Sequence, residues 1–181
     1  MSPTRYHPAL VVLHWTVAIA VLVALGMGTF VLTEIPNTSP DKLVGLRDHM
    51  IAGISILVLM SIRLGVRLFT KKPPRATTGN AFLDKIGVLT HYAFYVLIFL
   101  MAASGIGIAV LAGLPDIVFF GSGAPFPESF EIFPPRIGHG FFAKLLIALI
   151  ALHAAAALFH QFIRKDGLIA RMWFGKRYEQ Q

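Results

Sequence analysis

The chain has 181 residues, 56% of them hydrophobic and only 14% charged, with a mean hydropathy of +0.70; a soluble domain of this size carries about 25% charged residues. It has a formal charge of +7, seven histidines and no cysteine. The lack of cysteine excludes disulfides, thiolate-held iron–sulfur clusters and haem attached through thioethers, and leaves histidine as the obvious ligand for any redox centre.

Four apolar runs follow one another along the chain: Ala9–Leu32, Val44–Phe69, Ile86–Leu114 and Ile137–Ile163. Each reaches the roughly 20 residues needed to cross a hydrocarbon core of about 30 Å. They predict helices over about 9–32, 44–69, 83–114 and 137–163, hence an all-α membrane protein, a four-helix transmembrane bundle forming one domain over 1–181. The first run follows the basic Arg5, as a signal sequence would. It is longer than the about 7–15 residues of a signal core and no Ala-x-Ala cleavage site follows it, so it reads as a retained helix.

The connections punctuate the runs. Pro36, Asn37, Ser39 and Pro40 break the first, and Lys71, Lys72, Pro73, Pro74 and Gly79 mark the second. The third runs from about Pro115 to Pro135, contains five prolines and two glycines, and is long enough to form a small cap.

The basic residues are unevenly placed. Arg5, then Arg63, Arg67, Lys71, Lys72, Arg75 and Lys85, then Arg164, Lys165, Arg171, Lys176 and Arg177 put 12 of the 16 on one face. The opposite connections hold Glu34, Asp41, Asp48, Asp116, Glu128 and Glu131 against Lys42, Arg47, Arg136 and Lys144. The positive-inside rule places both termini of this multi-pass chain in the cytoplasm. The basic excess then reflects topology and contact with anionic membrane lipid, rather than nucleic-acid binding.

Six histidines lie in or beside the apolar runs: His14, His49, His91, His139, His153 and His160. Ionisable groups at membrane depth are costly and usually face the bundle interior with a function; interhelical hydrogen bonding is the plainer alternative. His139 and His153 are 14 residues apart, about 21 Å along a helix and nearly four whole turns, so both project from almost the same face. His160 shares that face. Matching depths across the bilayer pairs His49 with His139 near the periplasmic side, and His14 with either His153 or His160 near the cytoplasmic side. Depth alone does not choose between those two. Two stacked bis-histidine sites would suit haem engaged in electron transfer rather than oxygen binding. Small residues at Gly26, Gly28, Gly45, Gly53, Gly105, Gly107, Gly138, Gly140 and Ala154–Ala157 permit close approach of helices or of a flat macrocycle.

Leu13–Trp15 ("LHW"), Asp48–Leu68 ("DHMIAGISILVLMSIRLGVRL"), Thr90–Tyr95 ("THYAFY") and His139–Asp166 ("HGFFAKLLIALIALHAAAALFHQFIRKD") together resemble the bacterial cytochrome b561 family. The likeness spans nearly the whole chain and is weakest in the third connection. It implies two haem b groups, one held by His14 and His153 and the other by His49 and His139, with His160 outside the ligand set. His91 matches a family position that is not an axial ligand and would contact a propionate or a quinone; His160 is a candidate for similar contacts. Arg63 and Arg67 would neutralise propionates, with anchoring at the membrane edge the plainer reading.

The same resemblance implies a multi-pass dihaem cytochrome of the bacterial inner membrane, exchanging electrons between a periplasmic redox partner and ubiquinone or another quinone. Family members of this size resemble superoxide oxidases, making superoxide a candidate donor and superoxide:quinone oxidoreductase the expected activity. An alternative is an anchor subunit of a larger dehydrogenase or hydrogenase-type complex.

Overall fold

Helix starts in this chain are set by proline and by short polar caps. A computed structural model describes residues 3–75 and 77–178, and every regular element among them is helical. Helix α1 spans Pro8–Gly26 and continues through a π-turn at Met27–Val31; α2 spans Pro40–Phe69, α3 Ala81–Leu111, the short α4 Leu114–Val118, and α5 Pro134–Phe159 with a terminal π-turn at His160–Arg164. Four of these helices are long and apolar enough to cross a membrane.

The ends differ from the hydropathy reading for local reasons. Helix α2 starts four residues before the apolar run because Ser39 accepts a hydrogen bond from the Asp41 amide and Pro40 fits the first turn, where its missing N–H is not needed. Prolines likewise open α5 at Pro134 rather than 137. Helix α3 stops at Leu111 rather than 114 because Gly113 adopts a left-handed conformation (φ 63°), which only glycine takes without cost.

Helix α1 packs on α2, α3 packs on α5, and α2 joins the two pairs through α3. Val17, Val21 and Leu25 of α1, Ile56 and Met60 of α2, Tyr95 and Ile98 of α3, and Leu146 of α5 form a buried central layer. Outward-facing Ile19, Leu89, Val110 and Leu152 are exposed to the space that lipid fills. Because lipid is as apolar as leucine, this interior is held by close packing and interhelical hydrogen bonds rather than by expulsion of water.

The third connection does form a cap. Leu114, Ile117 and Val118 of α4 are buried with Ala109 against Leu46, Met50, Phe126 and Phe130. The opposite end is closed by the two terminal segments and the α2–α3 connection. The Thr4 amide donates to the Arg177 carbonyl (2.7 Å) and the Tyr6 amide to that of Arg171 (3.1 Å). Arg5 Nη1 donates to the carbonyls of Ala170 (2.7 Å) and Phe174 (3.1 Å). Arg164, Arg171 and Arg177 donate to the carbonyls of Thr78, Pro74 and Lys71 at 3.0, 2.8 and 2.6 Å. Both termini therefore lie at one end of the bundle, called the terminal end below; the α4 cap marks the loop end.

Candidate functional site

The sixfold histidine pattern resolves into two facing pairs. At the terminal end His14 of α1 faces His153 of α5, with ring centres 6.4 Å apart and planes 68° apart. At the loop end His49 of α2 faces His139 of α5, at 6.2 Å and 75°. A metal–imidazole bond of about 2 Å on each side of an iron, plus roughly 1 Å from nitrogen to ring centre, puts two axial imidazoles roughly 6 Å apart. Both pairs fit that separation. Leu146, among the most buried side chains, sits seven residues from each of the two α5 histidines. The central apolar layer thus divides one pair from the other.

The helices carrying each pair, α1 with α5 and α2 with α5, are not among those in close backbone contact; the rings span the interval between them. Helices that do come close are admitted by glycine. A Cβ on Gly28, in the π-turn that continues α1, would lie 3.2 Å from His49 Cε1, and one on Gly105 of α3 would lie 3.2 Å from His139 Cε1. Gly26 and Gly53, which share the small-residue pattern, have open space where a Cβ would go. Two of the glycines thus make room for the rings, a distinction that composition does not reveal.

Hydrogen bonds set the tautomer of His139. Ser104 Oγ donates to the Met101 carbonyl (2.9 Å), so its oxygen accepts from His139 Nδ1–H at 3.0 Å. That leaves Nε2 with its lone pair, the form a metal requires. His49 Nδ1 is buried without any protein partner, a costly state for a ring that serves packing alone. These donors fit haem b: neutral imidazoles, opposed in pairs, with no thiolate. No cluster of three or more His, Cys, Asp or Glu that could hold a bare metal ion occurs among the described residues.

The remaining candidates divide. His91 of α3 lies against His153, with ring centres 5.6 Å apart and nearly perpendicular. Its Nδ1 lies 2.7 Å from the Gly87 carbonyl, which can only accept, so Nδ1 carries the proton and Nε2 is an acceptor. His160 is engaged at the end of α5 instead. Its Nδ1–H donates to Asp166 Oδ2 at 2.5 Å, in the turn that ends α5 with Lys165 left-handed (φ 54°). This hydrogen bond is the main reason the Asp166 carboxyl is held below the usual carboxylate range.

Arg63 is not the edge anchor that its position suggested. It is 9% exposed, and its Nη1 donates to the Tyr95 hydroxyl at 2.5 Å. Arg67, one turn on, is half-buried. Sequence reasoning missed Lys42 as well, placing it among surface charges. It is 6% exposed, and its Nζ donates to the carbonyls of Leu32 (2.6 Å) and Ile35 (2.8 Å). Leu32 caps the end of the first crossing helix, whose last carbonyls lack helical partners, and Ile35 lies in the connection just beyond it.

The family profile of prokaryotic cytochrome b561 matches residues 5–175. The chain belongs to the prokaryotic cytochrome b561 family. Its membership, with four membrane-crossing helices, makes it a multi-pass inner-membrane cytochrome of electron transport that binds haem b. A probable superoxide oxidase of Yersinia pestis is 28% identical over 170 residues, covering 91% of this chain and 93% of that protein. Cytochrome b562 of Cereibacter sphaeroides is 27% identical, covering 90% of each chain. Cytochrome b561 homolog 1 of Escherichia coli K12 is 28% identical, covering 93% of this chain and 96% of the relative. Each match spans nine-tenths or more of this chain and of the relative.

Proposed function

We propose that the chain is a single dihaem unit that moves electrons from a periplasmic donor to the membrane quinone pool, with both termini cytoplasmic. The observation that carries this reading is the presence of two opposed imidazole pairs, at 6.4 and 6.2 Å, at opposite ends of one bundle. His14 with His153, and His49 with His139, would be the axial ligands. Haem b held by two histidines at each pair would supply one-electron chemistry, and such ligation favours electron exchange over oxygen binding.

Superoxide is the donor we favour, supported by the name of the Yersinia relative. Each superoxide gives up one electron and leaves as dioxygen; two such electrons and two protons turn one quinone into a quinol. His91 suits the quinone end, since its Nδ1–H is engaged by Gly87 and its Nε2 is free to accept a quinol hydroxyl. At the donor end, Arg47 and Arg136 lie beside Asp48 and Glu131 at 3.8 and 3.1 Å, and Lys42 is buried. Lys144 remains exposed. Long-range attraction of an anion is therefore weak, and the reaction rate should depend only shallowly on ionic strength.

The decisive measurements are haem quantification and a redox difference spectrum, followed by stopped-flow mixing with superoxide. Two haems per chain, and haem reduction faster than spontaneous dismutation, are expected. A colourless protein sinks the cytochrome reading; a dihaem protein inert to superoxide sinks only the donor. The second reading, an anchor subunit of a dehydrogenase or hydrogenase-type complex, draws on exposed Phe120 and Ile132 of the third connection. A large partner retained through purification would favour it.

A further inference from the structure

Each histidine pair has one arginine nearby, and the two arginines are compensated differently. Arg63 is the arginine within electrostatic reach of His14 and His153, and both Arg67, one turn on, and Arg63 reach His91. Its hydrogen-bond partner is the neutral Tyr95 hydroxyl, and its guanidinium carbon lies 5.4 Å from the centre of that same ring. No carboxylate pairs with it among the described residues. At the loop end, Arg136 is the cation within reach of His49 and His139, and it is paired with Glu131 at 3.1 Å. Lys42, the other buried cation, is held by two main-chain carbonyls.

A lone positive charge in a medium of low dielectric favours an added electron nearby, whereas a charge with its counter-ion a few ångströms away does so far less. Tyrosine fixes the guanidinium without supplying a negative charge. Arg63 also lies at the right depth: it is six residues before the end of α2, as His14 is six residues after the start of α1, about 9 Å in each case.

We propose that Arg63 is a positioning residue for charge, one that raises the electron affinity of the His14–His153 centre above that of the His49–His139 centre. The terminal end is then the downhill destination for an electron entering at the loop end. The inference rests on the two-haem reading and adds to it a direction that the ligands alone do not supply, since both pairs are bis-histidine and would otherwise be matched.

Potentiometric titration of the α-band in purified protein tests this, with His14→Ala assigning each titration step to an end. The unmodified protein should show two steps, the higher belonging to the His14–His153 centre. Arg63→Gln should lower that step and leave the other in place, while Arg63→Lys, which keeps the charge, should retain most of the separation. Glu131→Gln, at an exposed carboxylate, should free the Arg136 charge and raise the lower step. The proposal is overturned if Arg63→Gln binds both haems with neither step moved or both moved equally, or if the higher step belongs to the loop end. It is equally overturned if Glu131→Gln leaves the lower step where it was, which decides the matter even where Arg63→Gln fails to retain haem. A haem-free unmodified protein would instead remove the reading on which the inference stands.

Discussion

The two ends of the bundle present the same pair of rings in unlike surroundings. At the terminal end His91 lies against His153, and Arg63 is buried and held by Tyr95. At the loop end Gly28 and Gly105 lie beside the imidazoles and Ser104 is the hydrogen-bond partner, while the cation within reach, Arg136, is paired with Glu131. The first arrangement places a further imidazole against the pair, as the proposed quinone end would use. The second fixes ring orientation by close backbone approach and leaves little that titrates in contact with the rings.

The sharpest way to break this comparison is to remove one ligand at a time. His14→Ala or His153→Ala should lower the haem content from two per chain to one, sparing the loop-end centre; His49→Ala or His139→Ala should do the reverse. Haem extraction assays with redox spectra read this directly. Loss of the terminal-end haem in His160→Ala but not in His153→Ala would refute the pairing.

Next in size is Lys42→Met, which leaves the Leu32 and Ile35 carbonyls at the loop end without their donor. The expected loss is roughly 1–3 kcal/mol for the orphaned groups, seen as earlier thermal unfolding in detergent. An unchanged melting curve would mean that other donors replace the amine.

Glycine substitutions should separate the ends more gently. Gly28→Ala and Gly105→Ala force a 3.2 Å contact on a ring, so each should displace it by a few tenths of an ångström and weaken haem retention at the loop end alone. Gly26→Ala and Gly53→Ala meet nothing within 4 Å and serve as neutral controls. Equal effects from all four would discard the close-approach argument.

The smallest effect concerns pH at the terminal end. Asp166 is held below the usual carboxylate range by the His160 hydrogen bond. Its contribution is therefore complete above about pH 4 and lost as pH falls through the depressed value. Limited proteolysis of the tail should rise over that acid range in the native protein. In Asp166→Asn that pH dependence should disappear.

Hydropathy and length made the four crossings legible, because lipid imposes one requirement on every residue of a span. The helix ends were less so. Pro40, Asp41 and Lys42 are helical yet polar, and no hydropathy window reports a helical turn that extends beyond its apolar run. The 14-residue interval on α5 announced both histidine levels, but which ring His14 meets depends on the crossing of two helices, which no spacing encodes. The depth match left His153 and His160 open. The structure brings His14 to His153 and gives His160 to Asp166. The burial of Arg63 and Lys42 was not legible for a common reason: a cation near the end of an apolar run reads as an anchor or a loop charge, and its burial depends on an acceptor contributed from elsewhere. For Arg63 this is Tyr95, 32 positions away; for Lys42 it is the Leu32 and Ile35 carbonyls at and just past the end of the preceding helix.

The closure at the terminal end has a consequence for how this chain can change over time. Arg5, Arg164, Arg171 and Arg177 all donate to main-chain carbonyls. A carbonyl is present whatever side chain the residue bears, so substitutions at Pro74, Thr78, Ala170 or Phe174 leave the acceptor chemistry in place. The tail and the α2–α3 connection are thereby free to vary in sequence while keeping their course across the bundle. The constraint falls on the donors, each of which holds its segment by contacts that a shorter or uncharged side chain could not reach.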